Sequence, residues 1–132
     1  MNAFPAVFVS HGAPLLAIED GAAHRFLRGF GETLGRPRAI LVASAHWTTA
    51  APAVCAVAQP ETIHDFGGFP RALYQLNYPA PGDPALAQRV VQLLAGANIE
   101  CAADERWGLD HGAWVPLMLM YPSADVPVLQ LA

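Results

Sequence analysis

The chain has 132 residues, of which 54% are hydrophobic and only 14% charged, and its formal net charge is −4. This length suits one domain with a substantial hydrophobic core, and the composition excludes an intrinsically disordered chain. A negative chain without a basic patch is not expected to bind nucleic acid. No apolar run approaches the roughly 20 residues that span a bilayer, and the N-terminus lacks a signal-peptide pattern. We therefore expect a cytoplasmic protein without membrane contact.

The first half of the chain is predicted to alternate strands with one helix. Residues 6–10 form a short unbroken apolar run, which is typical of a strand buried on both faces of a parallel sheet. A loop at 11–14 follows, and then a helix at 20–34 that ends before a glycine. Further apolar runs predict strands at 38–44 and 52–58, with Cys55 in the second of them expected to be a buried free thiol.

The second half begins with a long loop at 59–84, rich in Pro and Gly, and loops of this length are usually functional. Asp83 as N-cap and Pro84 at the first helical position predict a helix at 84–96. The remaining predicted elements are a strand at 99–103, which holds the second expected free thiol, Cys101, a helix at 113–121 and a strand at 126–131. This alternation predicts an α/β domain whose central sheet is mainly parallel or mixed and is flanked by helices.

The last predicted strand is apolar, and no helix follows it in this sequence. An apolar strand of this kind belongs inside a sheet. We therefore expect that more sheet originally continued the fold and that the C-terminal strand exposes an edge unless a partner covers it. A homo-oligomer is one way to cover that edge.

Two histidines follow predicted strands directly: His11 after the run at 6–10, and His46 after the strand at 38–44. Ligands gather where the carboxyl ends of parallel strands meet, so both imidazoles are expected at one edge of the sheet. Two ligands are too few for a closed structural zinc site, whereas two histidines with one further ligand are typical of non-haem Fe(II) oxygenases. The alternative is that each histidine caps a loop by hydrogen bonding.

Other residues with potential chemistry lie near aromatic or acidic neighbours. His111 follows Asp110, whose carboxylate could orient the imidazole for proton transfer, although a structural role is the alternative. His64 and Phe66 belong to a glycine-rich stretch that could line an aromatic pocket or form a surface loop. Trp47 is either a pocket wall or a core residue.

Five sequence blocks occur in the order found in one enzyme family. They are FVSHGAP at 8–14, SAHW at 44–47, TIHDFGGFP at 62–70, LY at 73–74 with YPAPG at 78–82, and GLDHGAWVPL at 108–117. Over nearly its whole length, the chain resembles the class III extradiol ring-cleavage dioxygenases of the LigB type, in the branch similar to DOPA 4,5-dioxygenases.

The resemblance implies a non-haem metal held by His11, His46 and a third ligand, with Fe(II) expected for catalysis and Zn(II) as the alternative in the same site. It also implies that His111 is the acid/base residue beside the metal, and that a catechol similar to DOPA is opened with O2. Residues His64, Phe66 and Trp47 are weaker candidates for the substrate pocket. Family members are longer, so residues 1–132 are expected to be one α/β domain, the N-terminal half of the catalytic domain, without the third ligand.

Two other functions remain open from the sequence. One is an inactive module that binds metal weakly through its two histidines and oligomerises through an exposed sheet edge. The other is a zinc hydrolase, which needs a carboxylate to activate water, and the candidates are Glu61, Asp65 and Asp110. Consumption of O2 would distinguish the dioxygenase from both.

Overall fold

The regular elements follow the predicted alternation closely. A computed structural model describes residues 3–132. It contains helices α1 (Ala22–Leu34), α2 (Arg71–Tyr74), α3 (Pro84–Gly96) and α4 (His111–Met120), and strands β1 (Ile40–Ala43), β2 (Ala53–Cys55), β3 (Ala102–Asp104) and β4 (Val128–Leu131). The three long predicted helices are confirmed, and four of the five predicted strands are found, three in shorter form and the fourth, β3, shifted from 99–103 to 102–104. No helix within residues 3–132 combines the length and apolarity that crossing a membrane requires.

The four strands form one mixed sheet with the order β1-β4-β2-β3. β1 runs parallel to β4, and β2 runs parallel to β3. The two pairs meet where Val54 of β2 lies opposite Leu131 of β4 in antiparallel orientation. The predicted α/β class with a mixed sheet flanked by helices is confirmed.

The position of β4 corrects the expectation of an exposed C-terminal edge. β4 lies inside the sheet and has a hydrogen-bonded neighbour on each side, while β1 and β3 form the two edges. Its first three residues, Val128, Leu129 and Gln130, are fully buried. A strand that is buried on both faces belongs at the centre of a sheet, and β4 reaches that place between β1 and β2. The open edge of β4 that a homo-oligomer was expected to cover is therefore not found.

The predicted strand at 6–10 is wrong. These residues are irregular and mostly exposed, and the Phe8 side chain is 98% exposed. A cavity of about 470 Å³ separates the segment from β1 and α4. An apolar run becomes a buried strand only when a neighbouring strand pairs with it and both faces are covered, and this segment has neither.

Capping residues and burial explain the helices. α3 begins where predicted because the Asp83 side chain accepts a hydrogen bond from the backbone N–H of Leu86 at 3.0 Å. α4 is apolar on every side and almost wholly buried, as expected for a helix at the centre of a fold. It packs against α1 through Leu27 and Leu119, and its Trp114 lies at the centre of the largest hydrophobic cluster. The prediction that both cysteines are free and buried is also confirmed.

Candidate metal centre

Three histidines from distant parts of the chain converge on one point. His11 follows the irregular N-terminal segment, His46 follows β1, and His111 is the first residue of α4. The Nε2 atoms of His11 and His46 are 2.9 Å apart. The ring of His111 is centred 4.0 Å from that of His46 and 5.0 Å from that of His11. One nitrogen from each ring can be chosen so that all three lie within 4.8 Å of one another.

A buried carboxylate ties together the elements that carry two of these histidines. Asp110 is the N-cap of α4 and is fully buried. Its carboxylate accepts hydrogen bonds from Ser44 Oγ at 2.8 Å, from the Gly112 backbone N–H at 2.9 Å, and from the Gln130 amide of β4. Ser44 Oγ in turn accepts a hydrogen bond from the His46 backbone N–H at 3.2 Å. Asp110 thus fixes the start of α4 relative to His46, and the three donors stabilise its buried charge.

Gly112 allows α4 to approach His46 closely. A Cβ atom at this position would overlap Ser44 Oγ and would lie 2.9 Å from His46 Cδ2. No side chain larger than hydrogen fits between these two groups without moving them. The glycine of the DHG sequence is therefore required by a close approach of side chains at the site.

Asp65, and not Asp110, is the carboxylate that contacts the His111 ring. Its Oδ1 accepts one hydrogen bond from the His111 backbone N–H at 2.9 Å and another from the ring Nδ1 at 2.8 Å. Burial alone would raise the pKa of Asp65, but the hydrogen bonds from His111 outweigh it and lower the pKa below its usual value. The sequence suggested Asp110 because it is adjacent in the chain, whereas Asp65 comes from a loop 46 residues away.

The cluster fits a bound divalent metal ion in two respects. Burial, reinforced by His111 and His46, lowers the pKa of His11, and this favours the neutral imidazole that a metal needs. Two nitrogens at about 2.1 Å from one ion and at right angles to each other are about 3.0 Å apart, close to the 2.9 Å found between His11 and His46.

The three weaker pocket candidates occupy different surroundings. The Phe66 ring lies edge-on to His111 with the ring centres 5.7 Å apart, so it reaches the histidine cluster. The His64 ring lies edge-on to Phe66 with the ring centres 6.0 Å apart, and its Nε2 donates a hydrogen bond to the Leu76 carbonyl at 2.8 Å. Trp47 is only 7% exposed and stacks on Trp107 in a separate hydrophobic cluster, which places it in the core.

Comparison with known proteins identifies the family. Residues 5–132 match the family model described as the catalytic LigB subunit of aromatic ring-opening dioxygenase. This chain belongs to the LigB family. It is 53% identical over 128 residues to 4,5-DOPA dioxygenase extradiol of Escherichia coli (strain K12), and 53% identical over 129 residues to the protein of the same name from Beta vulgaris.

The matches to these LigB-type proteins cover 97% and 95% of this chain, but only 47% and 48% of the two relatives. The chain therefore spans about half the length of the curated relatives it matches. A crystal structure of an uncharacterized protein from Escherichia coli K12 superimposes with a TM-score of 0.67 at 45% identity, covering 87% of this chain and 41% of that one. The resemblance to the DOPA-like branch of the family is confirmed.

Within this LigB-family chain, the carboxylates that a zinc hydrolase would need are engaged elsewhere. Asp110 is buried and already accepts hydrogen bonds from three donors, and Asp65 Oδ1 is occupied by His111. Glu61 is exposed, and its backbone pairs with Leu109. The arrangement therefore does not favour the hydrolase alternative.

Proposed function

We propose that this chain carries the histidine part of the active site of a metal-dependent extradiol dioxygenase, which opens the ring of a DOPA-like catechol with O2. The observation that carries the proposal is the convergence of His11, His46 and His111 on one point. The similarity to proteins named 4,5-DOPA dioxygenase extradiol supports the choice of substrate class.

In this proposal, His11 and His46 hold the metal through their Nε2 atoms, which already lie 2.9 Å apart. Imidazole nitrogen suits iron and zinc, and we propose Fe(II) as the catalytic metal, with Zn(II) able to occupy the same site. When bound, the metal would supply Lewis acidity and a path for electrons between the diol and O2.

The proposed role of His111 is to accept a proton from a catechol hydroxyl and to return it later, a task for which imidazole is suited near neutral pH. Phe66 would lie against the substrate ring, since its own ring meets His111 edge-on. His64 would support Phe66 through the contact between their rings.

We further propose that residues 1–132 form one α/β domain that corresponds to the N-terminal half of the longer relatives. A third metal ligand is then expected outside His11 and His46, in the part of the family fold that this sequence does not match. A cytoplasmic location is proposed on the basis of two free, buried cysteines, which are typical of reducing compartments.

The test is metal content together with catechol-dependent O2 uptake, measured on the 132-residue chain reconstituted anaerobically with Fe(II). H11A and H46A are each expected to abolish iron binding. H24A is the matched control, because His24 lies on α1 and bonds the Leu16 carbonyl outside the cluster.

Oxygen uptake with a ring-opened product would support the full proposal for this chain alone. Iron that binds to the chain and to H24A but not to H46A, without oxygen uptake, would support the ligand assignment together with the inactive-module alternative. Iron binding that survives both H11A and H46A would contradict the proposed metal site.

A further inference from the structure

Both hydrogen bonds between Asp65 and His111 end on the same carboxylate oxygen. Oδ1 accepts from the backbone N–H of His111 at 2.9 Å and from its ring Nδ1 at 2.8 Å. An ionised carboxylate is an acceptor only, so the ring nitrogen that faces it must carry a proton. The two bonds close a small ring through the His111 main chain and side chain, and they fix the direction of the imidazole as well as its tautomer.

The loop that carries Asp65 is itself anchored to the start of α4, as a positioning group must be. Thr62 and Leu109 form a parallel bridge, and the Ile63 N–H donates to the Leu109 carbonyl at 2.8 Å. On the other side, the Trp114 indole N–H donates to the Ile63 carbonyl at 2.8 Å. These hydrogen bonds hold the loop of Asp65 against the start of α4, and therefore hold Asp65 beside His111.

The opposite nitrogen of the ring is then the one available to the site. In a neutral imidazole one nitrogen donates and the other accepts, and the partner of the first decides which is which. With the proton on Nδ1 held by Asp65, Nε2 keeps its lone pair. The His111 ring is centred 4.0 Å from that of His46, and Nε2 is the ring nitrogen that the bond to Asp65 leaves available there.

We propose that Asp65 is a positioning residue that fixes His111 as the Nδ1–H tautomer, so that Nε2 is the unprotonated nitrogen offered to substrate or metal. The inference rests on the proposed role of His111. It would apply equally if His111 accepted a proton or bound a metal, because both need a free lone pair on the nitrogen facing the site.

The test is the ¹⁵N chemical shift of the His111 ring nitrogens in the metal-free 132-residue chain, at alkaline pH where imidazoles are neutral. These shifts separate protonated from unprotonated nitrogen. In the unaltered chain we expect the proton on Nδ1. In D65A we expect a several-fold rise in the population with the proton on Nε2, because nothing holds Nδ1–H.

Two further variants keep the test decisive. D104N is the matched control, since Asp104 also accepts two N–H bonds, from Arg106 and Trp107, but bonds no histidine. It should leave the His111 tautomer unchanged. D65N should keep the proton on Nδ1, because the backbone N–H of His111 still requires an oxygen at that point, and it serves if D65A does not fold.

A proton on Nε2 of His111 in the unaltered chain would overturn the proposal. So would D65A, folded by its backbone spectrum, with an unchanged tautomer, or D65N with the proton moved to Nε2. No metal, catechol or oxygen enters the measurement. Its outcome is therefore independent of whether the chain supports ring cleavage.

Discussion

Two apolar regions of this fold differ sharply in how much of their surface is buried. The C-terminal region formed by α4 and β4 is almost wholly buried, and Trp114 within it has no exposed surface. The N-terminal segment at 4–10 is also apolar, yet Phe8 is 98% exposed and a cavity of about 470 Å³ separates the segment from β1. Apolar composition sets how much surface can be buried, but the neighbours available on each side decide whether it is.

The largest expected difference between the two regions is in the free energy of unfolding that each loses when one aromatic ring is removed from it. Trp114→Ala is expected to lower the free energy of unfolding by about 3–5 kcal/mol, because it leaves a cavity in the core. It also deprives the Ile63 carbonyl of its indole donor. Phe8→Ala is the matched variant and should change stability by less than about 0.5 kcal/mol. Urea unfolding monitored by circular dichroism measures both.

Equal losses of unfolding free energy in the two variants would show that the N-terminal segment is packed in solution. The two regions would then not differ in burial. A loss at Trp114 alone would confirm that stability resides in the region of α4 and β4.

The buried polar network at the start of α4 offers a second way to probe the packed region. Gln130→Leu keeps the volume of the side chain but removes the amide donor to the Asp110 carboxylate and the acceptor for the Asp110 N–H. Because a buried charge loses a partner, we expect destabilisation of about 3 kcal/mol. Gln88→Leu, at an exposed position of α3, is the control and should be close to neutral. Similar urea midpoints for the two variants would contradict a structural role for the network.

A smaller effect is expected from a methyl group added at the junction of α4 and the histidines. Gly112→Ala forces Ser44 Oγ and the His46 ring to move, at a cost of about 1–3 kcal/mol. Gly29→Ala is the matched control, since a Cβ there meets nothing within 4 Å, and it should stabilise α1 by about 0.5–1 kcal/mol. Thermal unfolding gives both values, and changed His46 ring resonances would show the local displacement. Unchanged His46 resonances in Gly112→Ala would contradict the close approach.

The site shows where inference from sequence succeeds and where it stops. Local signals located α3 from Asp83 and Pro84. His11 and His46 meet as expected, but only His46 follows a strand, so the argument from two strand ends holds for one of the two histidines. Asp65 as the partner of His111 was not predictable, because that pairing depends on how a distant loop packs against α4. Gln130 carried a usable signal, since a lone polar residue in the apolar run of β4 needs a buried partner.

The strand prediction for residues 6–10 was wrong for a different reason. Their pattern is typical of a strand buried on both faces, but a pattern cannot supply the neighbours that such a strand needs. The same rule succeeded for β4, whose apolar run is flanked by β1 and β2. One signal therefore gave a right and a wrong prediction, depending on what packs beside each segment.

The smallest expected effect is a difference in reactivity between two buried thiols, which compares an interior strand of the sheet with an edge strand. Burial raises the pKa of both Cys55 and Cys101, and the thiolate is the reactive form. Both should therefore react slowly with a thiol reagent at neutral pH, and reaction should accelerate only well above the pH at which an exposed cysteine ionises.

Cys101 should be the faster of the two. It lies just before β3, an edge strand, whereas Cys55 belongs to β2 inside the sheet and donates to the Trp107 carbonyl at 3.0 Å. Edge strands open locally at lower free energy than interior ones. Mass spectrometry after timed alkylation, with C55A and C101A as single-thiol references, measures each rate. Faster labelling of Cys55 would mean that the sheet opens at its centre first, and it would reverse the order of stability inferred from burial.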